Sequence, residues 1–253
     1  MKQQKLLTAI VMMGSVALMA GCDDGDDVRI GSTQGSTNGG GSNNGGGGSN
    51  NGGGTVVTPP DNCPSFSEPL VRDNRALCAL SGTFEEDVRL TSDIDWFLDG
   101  QVAFGRGDVQ LESQADVDSL PTPTLTIDAG TDIFAEGSSS LLKITRGAKI
   151  NAVGTEANPI TISSSDEGFE GSGEWGAVIV QGFGVANPDP DSAVPNVDLE
   201  AGLGFYGGTD NTDDSGTMEF VRIVEGGIEV FPDEEINGLT LAGVGSETTI
   251  NHI

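Results

Sequence analysis

The chain has 253 residues and a formal charge of −28, with 39 acids against 11 lysines and arginines. A charge of that sign excludes nucleic acid and bare anionic lipid as partners, because both are gripped through Lys and Arg. Aromatics make up 5%, 39 residues are glycine, and no apolar run after residue 22 is long enough to span a bilayer.

Lys2 and Lys5 open the chain, and residues 6–19 (LLTAIVMMGSVALM) are apolar and uncharged. Small residues Ala20 and Gly21 follow, then Cys22 and the acidic run DDGDD. A positive start, a short apolar stretch and small residues are the layout of a secretory leader, and the stretch is too short for a comfortable membrane span. Met19-Ala20-Gly21-Cys22 resembles the lipobox of bacterial lipoproteins, with Met where Leu is commoner. The resemblance implies removal of residues 1–21, a diacylglycerol thioether on the Cys22 sulfur, and acylation (palmitate) of the new amino group. Several acyl chains make a stable anchor, since each buried CH₂ contributes about 0.8 kcal/mol. Asp23 resembles the inner-membrane retention signal of enteric bacteria, whereas the acidic run resembles surface-export signals elsewhere. The tether and the acidic body tilt the expectation towards the outer membrane or the cell surface.

Residues 31–54 are Gly, Asn, Ser, Thr and Gln alone. They can bury no core and read as a flexible tether, so 22–60 is taken as the lipidated N-terminus and linker, ending near Pro59-Pro60. Cys63 and Cys78 then form an even pair in an oxidising compartment, which predicts a disulfide. Closing so short a loop adds about 3 kcal/mol by chain entropy.

Residues 61–120 read as an N-terminal capping region, with a short helix expected over 72–80 and strand-like pieces at Val88-Arg89-Leu90, Trp96-Phe97-Leu98 and Val102-Ala103-Phe104. From Pro121 the pattern is regular. LTIDAGTDIFAEG (125–137) matches LKITRGAKINAVG (142–154) at Leu, Ile, Gly, Ile, Ala and Gly, always 17 residues apart. Leu-x-Ile alternation is a strand with one buried face, and the glycine marks a corner. PITISSS (159–165), WGAVIVQG (175–182), MEFVRIVEGGIEV (218–230), INGLTLAGVG (236–245) and TTINHI (248–253) keep the pattern without the strict offset. An internal repeat of short strands predicts an all-β solenoid, a parallel β-helix over 121–253; the alternative is a β-sandwich with a chance repeat.

The stretches SLLKITRGAKINAVGTEANPITISSS, EWGAVIVQG, SGTMEFVRIVEGG and INGLTLAGVGSETTI resemble a group of bacterial envelope lipoproteins with a right-handed parallel β-helix. The resemblance runs from about Asp61 to the end and implies fold and location, not activity. Its members usually continue with further coils. A solenoid needs a polar cap on its last coil, so further chain, a partner or a second copy is expected beyond Ile253.

Chemistry-bearing patterns are sparse. His252 is the only histidine, which excludes multi-His metal sites. G-x-S-x-G, H-E-x-x-H, Walker A and Rossmann fingerprints are absent. Asn211-Thr212-Asp213 superficially resembles the Asn-Thr-Asp of polygalacturonases, but that family's Gly-His-Gly and Arg-Ile-Lys are missing. Lys143, Arg146 and Lys149 lie around one repeat unit, and Lys143 alternates outward from Leu142 and Ile144, so it is expected on a solvated face. Asp210, Asn211, Asp213 and Asp214 crowd one loop, and their hard oxygens make Ca²⁺ the cofactor to test. A solvated turn rich in Asx residues is the simpler account of that loop. A second acidic loop holds Asp166, Glu167, Glu170 and Glu174.

The sequence therefore predicts a lipid-anchored, extracytoplasmic β-helix with a binding or structural role: adhesion, or contact with matrix, polysaccharide or another envelope protein. It is expected not to be an enzyme and has no certain cofactor. The alternatives are a carbohydrate-active enzyme, a polysaccharide lyase or glycosidase using Arg222 or Lys149 beside acids, and an accessory lipoprotein of a transport or export system.

Overall fold

The computed structural model describes residues 56–253 apart from 167, 169, 170, 187–193, 232 and 233. The leader, Cys22 and the glycine-rich tether lie outside the described residues. Short alternating segments and glycine corners yield strands β1 (Glu68–Arg72), β2 (Arg75–Phe84), β3 (Val88–Leu90), β4 (Trp96–Phe104), β5 (Thr124–Ile127), β6 (Asp132–Ala135), β7 (Gly137–Ile144), β8 (Lys149–Val153) and β9 (Ile160–Ser164). They continue as β10 (Trp175–Gln181), β11 (Val197–Asp198), β12 (Phe205–Tyr206), β13 (Gly216–Glu219), β14 (Val221–Ile223), β15 (Ile228–Phe231), β16 (Glu234–Ile236), β17 (Leu239–Ala242) and β18 (Thr249–Asn251). One short helix, α1 (Gln114–Asp118), is held by a capping box between Ser113 and Asp116.

Pairing between successive turns is parallel, and the stack has three sides. On the first side, the N-terminal halves of β2 and β4 are followed by β6, β9 and β14. The C-terminal halves of β2 and β4 continue through β7, β10 and β17 on the second. The third is β3, β5, β8, β13 and β18. This is a parallel β-helix. Period-two alternation turns every other side chain inward, so Trp96, Leu98, Ile133, Ala135, Ile160, Ile162 and Val221 form one continuous interior ladder with Val102, Leu142 and Val178 from the second side.

Two expectations are corrected. No helix covers 72–80; that segment is the turn and second strand of an antiparallel hairpin in which Arg72 faces Arg75. Asp73 and Asn74 both take positive φ (48° and 58°), the two-residue turn whose twist suits a hairpin. The capping region is also shorter than 61–120, because coils begin within β2. The cap proper is the segment around Cys63 and Phe66. Cys63 is bonded to Cys78, with Cα atoms 5.5 Å apart, and Phe66 stacks on Trp96 at 6.0 Å. The 17-residue offset of the repeat spans less than a full coil. Leu125 lies on the third side and Leu142 on the second, so the offset advances the chain by two sides.

Tight stacking leaves some corners open to glycine alone. Gly216 faces Ile150 in the parallel register with φ of 109°, and a Cβ there would collide with the Ile150 carbonyl. Gly137 has φ of 75° but open space around it. Gly216→Ala is expected to cost about 3 kcal/mol, combining backbone strain with overpacking, and Gly137→Ala about 1 kcal/mol. Denaturant unfolding of both variants checks this; equal losses would contradict it.

Candidate functional site

The parallel coils tolerate inserts at their corners, and three of them gather over the second side. They are residues 105–123, residues 182–215 with β11 and β12, and residues 224–238 with the β15–β16 hairpin. The outer face beneath them carries Ala103, Lys143, Ile179 and Thr240 in one cross-strand ladder. Leu141 and Ala177 sit beside it and pack with Ile236, Ile228 and Leu203 from the inserts.

Lys143 does point away from the coil interior, yet it is not solvated: it is only 2% exposed, because the inserts cover it. Its ammonium donates to Asp108 Oδ2 at 2.5 Å. Arg146 is fully buried. Its Nε donates to Gly107 O at 2.7 Å, Nη2 to Val109 O at 2.6 Å, and Nη1 to Gly207 O at 2.9 Å and Asn196 Oδ1 at 3.1 Å. The guanidinium also lies over the Phe183 ring at 5.6 Å. Burial pulls its pKa down to about 10 while the charge of Asp108 pulls upward, so it stays protonated at neutral pH. Asn196 adds bonds to Leu111 O and Val194 O, both at 2.8 Å. Arg146 and Asn196 thus pin the first two inserts to the coil. Lys149 is elsewhere, on the third side, bonded to Asp214 at 2.6 Å. Arg222 is exposed on the first side. Neither base that a lyase reading needs lies near the covered face.

Between the second and third inserts the outer face opens into three adjoining hollows of ≈ 340, ≈ 230 and ≈ 460 Å³, with Ile236 lining all of them. The floor is apolar: Leu141, Ile179, Leu203 and Ile228. Tyr206, Asn237, Ser138 and Thr240 supply an aromatic ring and neutral polar groups. Asp198, Glu200, Glu229 and Glu235 supply the charge. Beside the first hollow, burial pushes the Glu225 carboxyl above its ordinary range. A bond from Ser164 N opposes this, and the charges of Glu174 and Asp166 reinforce it. An apolar floor with a few convergent polar groups is the usual form of a small-molecule or oligomer site. Sequence reasoning missed these residues because they come from separate strands and inserts.

The predicted acidic loop is different. Asp210 Oδ1 accepts from Thr212 N and Oγ1 at 2.9 and 2.6 Å, and these bonds hold its carboxyl below the usual range. Asn211 Oδ1 accepts from Val185 N at 3.0 Å. Asp213 Oδ2 accepts from Ser215 Oγ at 2.8 Å, and Asp214 is taken by Lys149 and Gly216 N, which lower its pKa. The oxygens are turned to local partners rather than to a common centre. Among the described residues no three acids, cysteines or histidines gather as metal ligands. The candidate calcium loop is tied together by hydrogen bonds of its own. Glu167 and Glu170 of the second acidic loop lie outside the described residues. His252 is exposed and stacks on Phe220 at 4.3 Å.

Gln181 is the odd member of the covered face. It follows Ile179 by two residues and so shares its outward side. It is fully buried, and neither amide atom has a partner among the described residues. An unpaired buried amide costs about 1–3 kcal/mol. Gln181→Met keeps the volume and is expected to raise stability by about 1–2 kcal/mol, read as a higher midpoint in thermal unfolding. A loss of stability would show that the amide is satisfied.

Residues 83–253 match the model of the pectate-lyase-like β-helix domain, starting inside β2 and running through the last strand. No curated protein and no solved structure matches the chain. The family contains enzymes but the match specifies no activity, so the expectation of a chain without catalysis finds no support. No helix among the described residues is long and apolar enough to cross a membrane. The match covers more than half of the sequence and the stack it describes is the stack observed: the chain belongs to the pectate-lyase-like β-helix domain family.

Proposed function

We propose that the chain is a lipid-anchored, extracytoplasmic carbohydrate-binding protein of the cell envelope, held at the outer membrane or cell surface through Cys22. Its role is adhesive or matrix contact. The observation that carries this reading is the groove on the outer second side: an apolar floor, Tyr206, neutral hydroxyl and amide groups, and acids at the rim. Sugar rings offer C–H faces to such a floor and hydroxyls to such a rim. Membership of the pectate-lyase-like family supports a carbohydrate as the ligand class. The leader and lipobox-like sequence support the anchor.

A hydrolytic reading has one observation in its favour. Glu229 and Glu235 face one another across the β15–β16 hairpin and both line the first hollow. Paired carboxyls are what a glycosidase requires.

The test is calorimetric titration of the full chain in detergent with a panel of soluble oligosaccharides, alongside a reducing-end assay. Binding is expected, weakened about tenfold or more by Tyr206→Ala. No binding across the panel overturns the reading. New reducing ends that disappear in both Glu229→Gln and Glu235→Gln would establish the hydrolytic one.

A further inference from the structure

Resting on the carbohydrate-binding reading, we infer that the groove takes a cationic glycan, one built from amino sugars with free amines, and turns away uronate polymers. The argument is charge complementarity in a trough with an apolar floor. The charged side chains lining the three hollows are Asp198, Glu200, Glu229 and Glu235, and among the described residues no Lys, Arg or His lines any of them. The bases that could have balanced them are engaged elsewhere: Lys143 with Asp108, Arg146 with backbone carbonyls, Lys149 with Asp214.

The register sharpens this. Glu229 lies directly opposite Glu235, and like charges at opposed positions destabilise a hairpin. Both side chains are exposed at the mouth of the first hollow. That repulsion is relieved when a cation enters between them. The chain as a whole is strongly negative, and a cleft lined by one sign of charge concentrates the field and raises the local concentration of the opposite sign. A uronate would meet only carboxylates. The neutral donors and acceptors, Ser138, Asn237 and Thr240, suit ring hydroxyls. A basic peptide shares the charge, but the flat apolar floor beside Tyr206 and the family membership favour the sugar.

The experiment titrates the full chain in detergent with a glucosamine hexamer, its N-acetylated counterpart, a galacturonate hexamer with and without Ca²⁺, and hexalysine. The amine oligomer is expected to bind at least about tenfold more tightly than the acetylated one, with the advantage shrinking as salt rises. Glu229→Gln with Glu235→Gln removes the advantage. Glu86→Gln with Glu112→Gln, the same charge change at exposed positions outside the hollows, keeps it. Circular dichroism confirms that each variant folds. Equal binding of the acetylated oligomer, tight binding of galacturonate with Ca²⁺, equal binding of hexalysine, or equal loss in the remote variant each overturns the inference while leaving glycan binding standing. Failure of every sugar overturns glycan binding as well.

Discussion

The structure depends on one constraint: each coil must lay an inward apolar side chain directly over that of the coil before. Trp96, Ile133, Ile162 and Ile223 follow one another in register. Interiors packed at crystal-like density transmit any misfit to their neighbours. The narrow core therefore pushes length variation to the corners, including the bends within β4 and β7 where the register shifts. Inserts 105–123, 182–215 and 224–238 are placed there, and the last two wall the groove. The rigid stack supplies a floor; the corners supply chemistry.

Covering one outer side has an electrostatic consequence. Strand residues that a bare β-helix would show to water are buried here, and three of them are polar: Lys143, Gln181 and, at the corner, Arg146. Burying a charge is costly unless it is bonded. Lys143 has Asp108, and Arg146 has three carbonyls and Asn196. The same bonds hold loops 107–109 and 194–207 against the coil, so satisfying the cation and fixing the groove wall are one event. Gln181 is the unbalanced case, a buried amide with no partner among the described residues.

The coil was legible because its signal is local. Leu-x-Ile followed by a glycine corner states strand, buried face and turn within one segment, and it placed β5 to β8 well. Its 17-residue spacing relates strands on different sides, which look alike in a three-sided stack. The hairpin at Arg72–Arg75 was missed because Asp73-Asn74, a pair that readily takes positive φ, was not read as a turn. Lys143 was misjudged because alternation tells inside from outside of a coil, not covered from bare. A better signal was present: the run WGAVIVQ has no polar residue facing either way until Gln181, which marks a strand buried on both faces. The groove itself was not legible. Its floor comes from β7 and β10, its walls from 197–206 and 228–238, and only the fold brings these together. The Asp210–Asp214 loop shows the reverse case, a dense acidic stretch whose oxygens accept bonds from local partners.

The central claim is that buried Arg146 fastens the covering insert to the coil and so forms the groove wall. Hydrogen exchange read by mass spectrometry, on the native chain and on Arg146→Met, tests it most directly. The account predicts that residues 194–208 are protected in the native chain and exchange freely in the variant, while β6 to β10 stay protected in both. Free exchange of 194–208 in the native chain, or unchanged protection in the variant, would contradict it.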